Sequence, residues 1–378
     1  MDTQGHKIQF IDLVKQYQHY KTEIHQAVDA VLESGAYILG PQVGQLEEAL
    51  AEYANAKHCI AVGSGTDALT VALMALEVGP GDEVITTPFS FIAAVEAILL
   101  LGATPVFVDI DPQTYCLDPQ QLEAAISPLT KAIIPVGLYG HMADMERITA
   151  IAAPHRIPVI EDAAQCYGGE QNGRKSCGVS ELAITSFYPA KPLGGCGEAG
   201  AIFARDRDLA QKIRVIHNHG CSQKYVHTAL GVNARCDTIQ AAILQVKLKH
   251  FDEELRLRRQ VADWYSQELP TDVLRPLTLP GYTHTYAQYT IRVPDRESFV
   301  KRLNKMEIPT ACHYPVTLDQ QAAVLGTFRN AGELTNAYRA ANEVISLPMH
   351  PWLTHEDVKQ IADGVKIALS ESLCCKGV

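Results

Sequence analysis

The chain has no run of basic residues, no C-x-x-C pair and no long uninterrupted apolar stretch. Each absence removes a class of function. With 32 Lys and Arg against 43 Asp and Glu the net charge is −11, which argues against a surface for nucleic acid or anionic membrane. An anionic ligand must then be met by local donors. The most apolar stretch, "FIAAVEAILLLGA", is short and interrupted by Glu96, and the opening "MDTQGHKIQFIDLVKQYQHY" is polar and mixed in charge. Neither a membrane span nor a signal peptide is expected, and the expected location is cytoplasmic. The ten cysteines fall mostly inside apolar runs, as Cys59 does in "HCIAV". They read as reduced, buried thiols, with the adjacent Cys374 and Cys375 of the tail standing apart. The 14 histidines form no zinc pattern, so no metal site is expected.

What is present is a chain of 378 residues, 47% apolar and 20% charged, enough for one large domain and a smaller one. From Ala56 to Phe203, short apolar runs alternate with stretches of helical period. The runs are "HCIAV", "DEVITT", "TPVFVDI", "KAIIPVGLYG", "IPVIEDAA", "AITSFY" and "GAIF". This is the βαβ pattern of a mostly parallel sheet covered on both faces. Asp118, Pro119 and Gln121 form a candidate capping box, and Asp237 with Gln240 forms another at the start of a long helix. In that helix Ile239, Ile243 and Val246 make one apolar stripe and Leu244, Leu248, Phe251 and Leu255 a second. Such a helix packs between domains or subunits. We expect a large domain over residues 1–250, and a linking helix with a small α+β domain over 251–378.

Ligands of open α/β sheets bind beyond the carboxyl ends of the strands, and four groups of polar residues stand there. In "VGSGTDAL", Gly63, Ser64, Gly65 and Thr66 lead from a strand into a helix, offering N–H groups and a dipole to phosphate. Taken alone, a glycine turn is only a turn. In "VIEDAAQ", Asp162 and Gln165 close an apolar strand; alone, Asp162 is equally a cap. In "TSFYPAKPLGGCGEAGAIF", Ser186 and Lys191 flank the end of the next strand, the lysine fixed between two prolines. In "GVNARCDTIQ", Asn233 and Arg235 precede a helix, where an arginine in a surface ion pair is the plain alternative. An amine nucleophile, a carboxylate and a phosphate cradle at strand ends of one sheet are what pyridoxal phosphate requires. A nicotinamide site would need G-x-G-x-x-G, and "GSGTDA" lacks the third glycine.

The ordered set "GSGTDAL", "GDEVITTPFSFIAA", "VFVDIDPQTYCLD", "PVIEDAAQ", "SFYPAKPLG", "GVNARCDTIQAAIL" and "PTACHYPV" resembles the DegT family of nucleotide-sugar aminotransferases over nearly the whole chain. The resemblance implies a fold-type-I architecture, with a mostly parallel central sheet flanked by helices and a smaller C-terminal α+β domain. It implies pyridoxal 5'-phosphate as cofactor, with Lys191 joined to it covalently, Asp162 paired with the pyridine nitrogen and Gln165 near the ring hydroxyl. Phe91 would stack on the ring, its alternative being a plain core position. Gly65, Thr66 and Ser186 would hold the phosphate, completed by Asn233 of a neighbouring subunit in a homodimer. Relatives with histidine in place of Lys191 are dehydratases, so the lysine implies amino transfer. One departure is "GEAG", with Glu198 and Ala199 where relatives commonly read Gly-Asp-Gly-Gly.

Within the family, "YAQYTIRV", "PTACHYPV" and "SLPMHPWL" look most like enzymes that transfer an amino group from L-glutamate to C3 of UDP-2-acetamido-2-deoxy-3-oxo-glucuronate, for a bacterial surface polysaccharide such as O-antigen. A guanidinium binds a carboxylate bidentately, which makes Arg235, helped by His313 and Tyr314, the candidate for the uronate or for glutamate. A neutral 3-oxo or 4-oxo sugar on UDP or dTDP stays open as an alternative acceptor. So does a ligand-binding regulator without catalysis.

Overall fold

The computed structural model describes residues 7–374; the first six residues and the side chains of the adjacent Cys374 and Cys375 fall outside what is described. The apolar runs form the strands of the main sheet: β1 (His58–Val62), β2 (Glu83–Thr86), β3 (Thr104–Phe107), β4 (Thr130–Ile133), β5 (Ile160–Asp162), β6 (Leu182–Ser186) and β7 (Gly200–Ala204). An eighth short strand, β8 (Arg329–Asn330), comes from far along the chain and pairs parallel with β3. β3, β2 and β4 are parallel neighbours, bridges from Ile133 to Val159 and from Val136 to Asp162 carry the sheet on to β5, and β5 runs parallel with β6. β7 is reversed between β6 and β1. The spatial order is therefore β8-β3-β2-β4-β5-β6-β7-β1, mostly parallel, as the pattern predicts.

Successive side chains of a strand point to opposite faces, and here both faces are buried. Cys59, Ala61, Ala183, Ala201 and Phe203 face one core, with the Pro41–Ala54 helix. Ile60, Val62, Leu182, Ile184 and Ile202 face the other, with the helices Gly65–Ala75 and Arg207–Ile216. Five cysteines, Cys59, Cys116, Cys166, Cys177 and Cys236, are buried free thiols. Among the described residues no helix is long and apolar enough to cross a membrane.

Helix starts follow the sequence in one place and depart from it in another. Asp118 caps the Pro119–Ala125 helix, accepting from Gln120 N at 2.9 Å and from Gln121 Nε2 at 3.0 Å. Asp237 stands at the start of the Thr238–Lys249 helix without any side-chain cap bond. Gln240 does not fold back as a box partner; its Oε1 accepts from Cys196 N at 2.9 Å in the loop after Lys191. A tertiary donor has outcompeted the local one. The expected long helix is also broken at His250, beyond which Phe251–Glu268 begins. Its two stripes are both covered within the chain: Ile239, Ile243 and Val246 meet Tyr20 and Ile24 of the Leu13–Ser34 helix, while Leu244, Leu248, Phe251 and Leu255 join the core of the main sheet.

A third core gathers Val261 and Tyr265 with the antiparallel pair Tyr289–Arg292 and Val344–Leu347 and the helices Arg296–Lys305 and His355–Cys374. The C-terminal part also reaches back. β8 is fastened to the main sheet by Arg329, which donates to both oxygens of Glu83 at 2.9 and 2.8 Å, while Ser127 Oγ donates to Glu83 at 2.6 Å.

Glu83 is 8% exposed, so removing its cation leaves a carboxylate largely out of water. Arg329→Met is expected to lower the unfolding free energy by roughly 1–3 kcal/mol at neutral pH. Arg329 holds the Glu83 carboxyl below its ordinary range, so this stabilisation is full above the ordinary carboxylate pKa and is lost as pH falls through the depressed value. Denaturant melts of both proteins should differ near pH 7 and converge in acid; an equal gap at both would assign the effect to packing.

Candidate active site

The carboxyl ends of β1, β5 and β6 open on a cavity of about 670 Å³, within the range of small-molecule sites. At the end of β1, Ser64 caps the Gly65–Ala75 helix, its side chain accepting from Asp67 N at 3.0 Å. Gly65 is there for space. A Cβ on it would lie 2.6 Å from Ser186 Cβ, so glycine lets the helix start press against the end of β6. Gly65, Thr66 and Ser186 thus stand together on the cavity wall, where the free N–H groups of a helix N-terminus favour an anion.

Across the cavity stand Asp162, ending β5, and Lys191, in the turn after β6. Lys191 N donates to Tyr188 O at 2.8 Å and Gly195 N to Phe187 O at 2.7 Å, closing a tight loop around Pro189 and Pro192. Behind it the buried Lys247 donates to Gly194 O at 2.7 Å and to Gln16 Oε1 at 2.8 Å. Gln16 Nε2 in turn donates to both carboxylate oxygens of Glu254, at 3.1 and 3.0 Å. Burial pushes the Lys191 ammonium down from its ordinary value, and the Asp162 carboxylate pulls it back up. Burial likewise raises Asp162, opposed by the Ala164 N–H and by Lys191. Each charge is tolerated because of the other.

Gln165 is buried; its Oε1 accepts from Tyr139 N at 2.9 Å and its Nε2 donates to Tyr314 Oη at 3.4 Å. Phe91 is 54% exposed and its ring centroid lies 6.3 Å from that of Tyr314, so it is a wall residue and not a core one. His313 shares the wall, its Nδ1 3.1 Å from Ser346 Oγ; burial, then Lys191, holds its imidazole below the ordinary range. Two sequence candidates lie elsewhere. Asn233 is exposed and bridges to Asn218, and Arg235 donates to Asn218 Oδ1 at 2.8 Å. Neither lines this cavity.

Several wall residues carried no assignment from the sequence, among them Ser90, Tyr188 and Gln288. Each lies inside one of the quoted motifs, at a position whose residue type announces no chemistry. Glu198, the departure in "GEAG", is exposed on the cavity wall, while Ala199 is fully buried and its carbonyl accepts from Phe187 N at 2.8 Å.

The profile of the DegT/DnrJ/EryC1/StrS aminotransferase family matches residues 18–366. The chain is 50% identical to the UDP-2-acetamido-2-deoxy-3-oxo-D-glucuronate aminotransferase of Pseudomonas aeruginosa, covering 94% of this chain and 98% of that one. It is 45% identical to a protein of Geobacillus stearothermophilus named as a pleiotropic regulatory protein, over 95% and 97% of the two chains. Among solved structures, ntda from Bacillus subtilis with bound cofactor PMP superposes with a TM-score of 0.85 at 32% identity, covering 96% of this chain and 83% of that one.

The coupling of Lys191 to Asp162 is testable on the cofactor-free protein. Asp162→Asn removes the attraction that favours the ammonium, so the midpoint of Lys191 reactivity toward trinitrobenzenesulfonate against pH should move down. An unmoved midpoint would mean that the two groups do not sense each other.

Proposed function

The chain belongs to the DegT/DnrJ/EryC1/StrS aminotransferase family, and from that premise we propose that it uses pyridoxal 5'-phosphate to move an amino group from L-glutamate to C3 of UDP-2-acetamido-2-deoxy-3-oxo-glucuronate. The observation that carries the cofactor is the meeting of Lys191, Asp162 and the Gly65–Thr66 helix start on one cavity. That set fits the group in charge and in shape: a nucleophilic amine, a buried carboxylate for a protonated ring nitrogen, and N–H donors for a phosphate. Bound there, the cofactor supplies an electron sink for the carbon next to the transferred nitrogen.

The protein's own residues do the rest. Lys191 would hold the cofactor covalently, and as a neutral amine it could carry a proton to and from the substrate carbon. Its depressed pKa suits that work, because a neutral amine is the competent form. Asp162 would keep the ring nitrogen protonated, Gln165 would serve the ring oxygen, and Phe91 would cover the ring face. Gly65, Thr66 and Ser186 hold the phosphate.

Asn233 lies outside its own chain's cavity, and near it Tyr225 and Leu230 are 84% and 90% exposed. Both features support a homodimer in which Asn233 completes the phosphate site of the neighbouring copy. Arg235 is two residues away and equally outside, so it meets a uronate carboxylate only if that segment serves the neighbour. The two assignments stand or fall together. His313 and Tyr314 are placed at the sugar. The acceptor is supported by the 50% identity to the Pseudomonas aeruginosa enzyme over 94% of the chain; a cytoplasmic place in surface-polysaccharide synthesis, as for O-antigen, completes the reading. The name of the Geobacillus stearothermophilus relative supports a second reading, a regulator that binds the same ligands without turnover.

The test is a pair of half-reactions. Glutamate should bleach the visible band of the lysine-bound cofactor, and the 3-oxo-uronate, added after glutamate is removed, should restore it. Bleaching without restoration, with recovery by a neutral keto-sugar, would move the acceptor assignment; no bleaching would favour the regulator. Lys191→Ala should lower turnover by about 10²–10⁴-fold or more with an unchanged fold. Mixing the inactive variants Lys191→Ala and Asn233→Ala should restore activity through hybrid dimers, each with one complete site; no recovery would confine Asn233 to its own chain.

A further inference from the structure

His313 reaches the cavity wall from a segment that is docked like a third strand. Ala311 and Ser346 exchange both backbone bonds, Ala311 N to Ser346 O at 3.2 Å and Ser346 N to Ala311 O at 2.8 Å. On its other side Ser346 pairs in register with Thr290. Side chains alternate along such segments, so His313, two residues beyond Ala311, falls on the face that carries the Thr290 and Ser346 hydroxyls. A chain of contacts results: His313 Nδ1 lies 3.1 Å from Ser346 Oγ, and Ser346 Oγ lies 3.0 Å from Thr290 Oγ1. Thr290 and Ser346 are both buried.

Counting acceptors fixes the direction of the protons along this chain. Ser346 Oγ is the one hydrogen-bond partner of Thr290 Oγ1 among the described residues, and a buried O–H left without an acceptor is costly. Thr290 therefore donates to Ser346. The Ser346 proton then points at His313 Nδ1, its one remaining partner, and must meet a lone pair there. The opposite order, Nδ1–H to Ser346 and Ser346 to Thr290, strands the Thr290 proton in the dry interior. A lone pair at Nδ1 puts the single proton of a neutral ring on Nε2. Burial, and then the Lys191 charge, disfavour a second proton. Nε2 has no protein partner among the described residues and, unlike both ring nitrogens of His350, is not sealed from solvent. On a side chain that lines the cavity, it is the nitrogen that a ligand can meet without the ring turning.

Resting on the aminotransferase reading above, we propose that Ser346 is a positioning residue: by donating to Nδ1 it holds His313 as an Nε2–H donor, which binds an acceptor oxygen of the keto-sugar and takes no proton from it. A ring whose only lone pair is engaged by Ser346 is no general base for the cavity, so proton transfer rests with Lys191. His313 supplies binding, preorganised by the strand pair behind it.

The tautomer is read without any turnover, by nitrogen NMR of the holoenzyme labelled in its histidine rings, with the His313 signals identified by their loss in His313→Gln. At neutral pH Nε2 is expected to carry the proton and Nδ1 to be bare; a proton on Nδ1 would overturn the proposal, whatever reaction the protein catalyses. Kinetics test its use. His313→Gln places an amide donor near the Nε2 position and has nothing to titrate, so kcat/KM for the sugar half-reaction should fall by no more than about tenfold, with the shape of its pH profile unchanged. A fall to the level of Lys191→Ala, or a pH limb that vanishes with the ring, would make His313 a proton carrier instead. Ser346→Ala should lower kcat/KM for the sugar by about 3–30-fold and leave the glutamate half-reaction within about twofold. Thr290→Val removes a hydroxyl from the same strand pair but leaves the Ser346 proton no acceptor other than Nδ1, so both half-reactions should stay within about twofold of wild type. Equal losses in the two variants would make Ser346 merely structural, and no loss in Ser346→Ala would leave it without a role. Failure of the parent reading looks different: the wild-type protein would return its amine to no keto-sugar, and the sugar contact would fall while the Nε2 proton stood.

Discussion

A lysine ammonium and a carboxylate at the carboxyl ends of neighbouring strands, Asp162 buried and Lys191 partly covered, set the terms for the rest of the molecule. Neither charge is comfortable there alone, since burial disfavours the charged form of each. Their mutual attraction offsets part of that cost. Asp162 is held by β5, which is paired on both sides, and by the Ala164 N–H. Lys191 stands on a loop and needs more support. It receives it from residues distant in sequence: Gln240 on the loop's Cys196 N–H, and Lys247 on the carbonyl of Gly194. Lys247 is itself a buried cation, linked to Glu254 through Gln16. A second buried cation, bridged to a carboxylate by a glutamine, thus sits behind Lys191, and the Leu13–Ser34 helix, which carries Gln16, belongs to the site's scaffold.

The division of labour follows from what each element can do rigidly. Strands deliver Asp162 and Ser186 with little freedom, because a parallel strand buried on both faces cannot slip register without exposing its apolar side chains. The helix start at Gly65 delivers N–H groups whose direction is fixed by the helix itself. The opposite part of the cavity lining, with Gln288, His313 and Tyr314, comes from the C-terminal part of the chain. The cavity is thereby built from two separate stretches of chain, and under the proposed function the C-terminal one can vary while the other stays fixed.

What could be read from the sequence was whatever local rules decide. The strand runs, the Asp118 cap, and the placement of Lys191 and Asp162 at strand ends are of that kind, since periodicity and turn chemistry act over a few residues. What could not be read depended on partners far along the chain. Gln240 fits a capping box by spacing, and only the position of Cys196 shows that it is engaged elsewhere. β8 is two residues long, too short to leave a period. Ser346 sits inside an ordinary strand-like run, and nothing local marks its contact with His313. Asn233 and Arg235 stand with the other site residues in motif order, yet the chain's cavity does not include them, because motif order carries no information about where a loop folds.

β8 also bears on how the chain is made. It pairs with β3 from more than two hundred residues downstream, so the edge of the sheet at β3 has no strand partner until nearly the whole protein has left the ribosome. Until then an apolar parallel edge stays open to other chains, the kind of surface that slows folding and invites association during synthesis. The bidentate grip of Arg329 on Glu83 then acts as a late lock on that edge of the sheet.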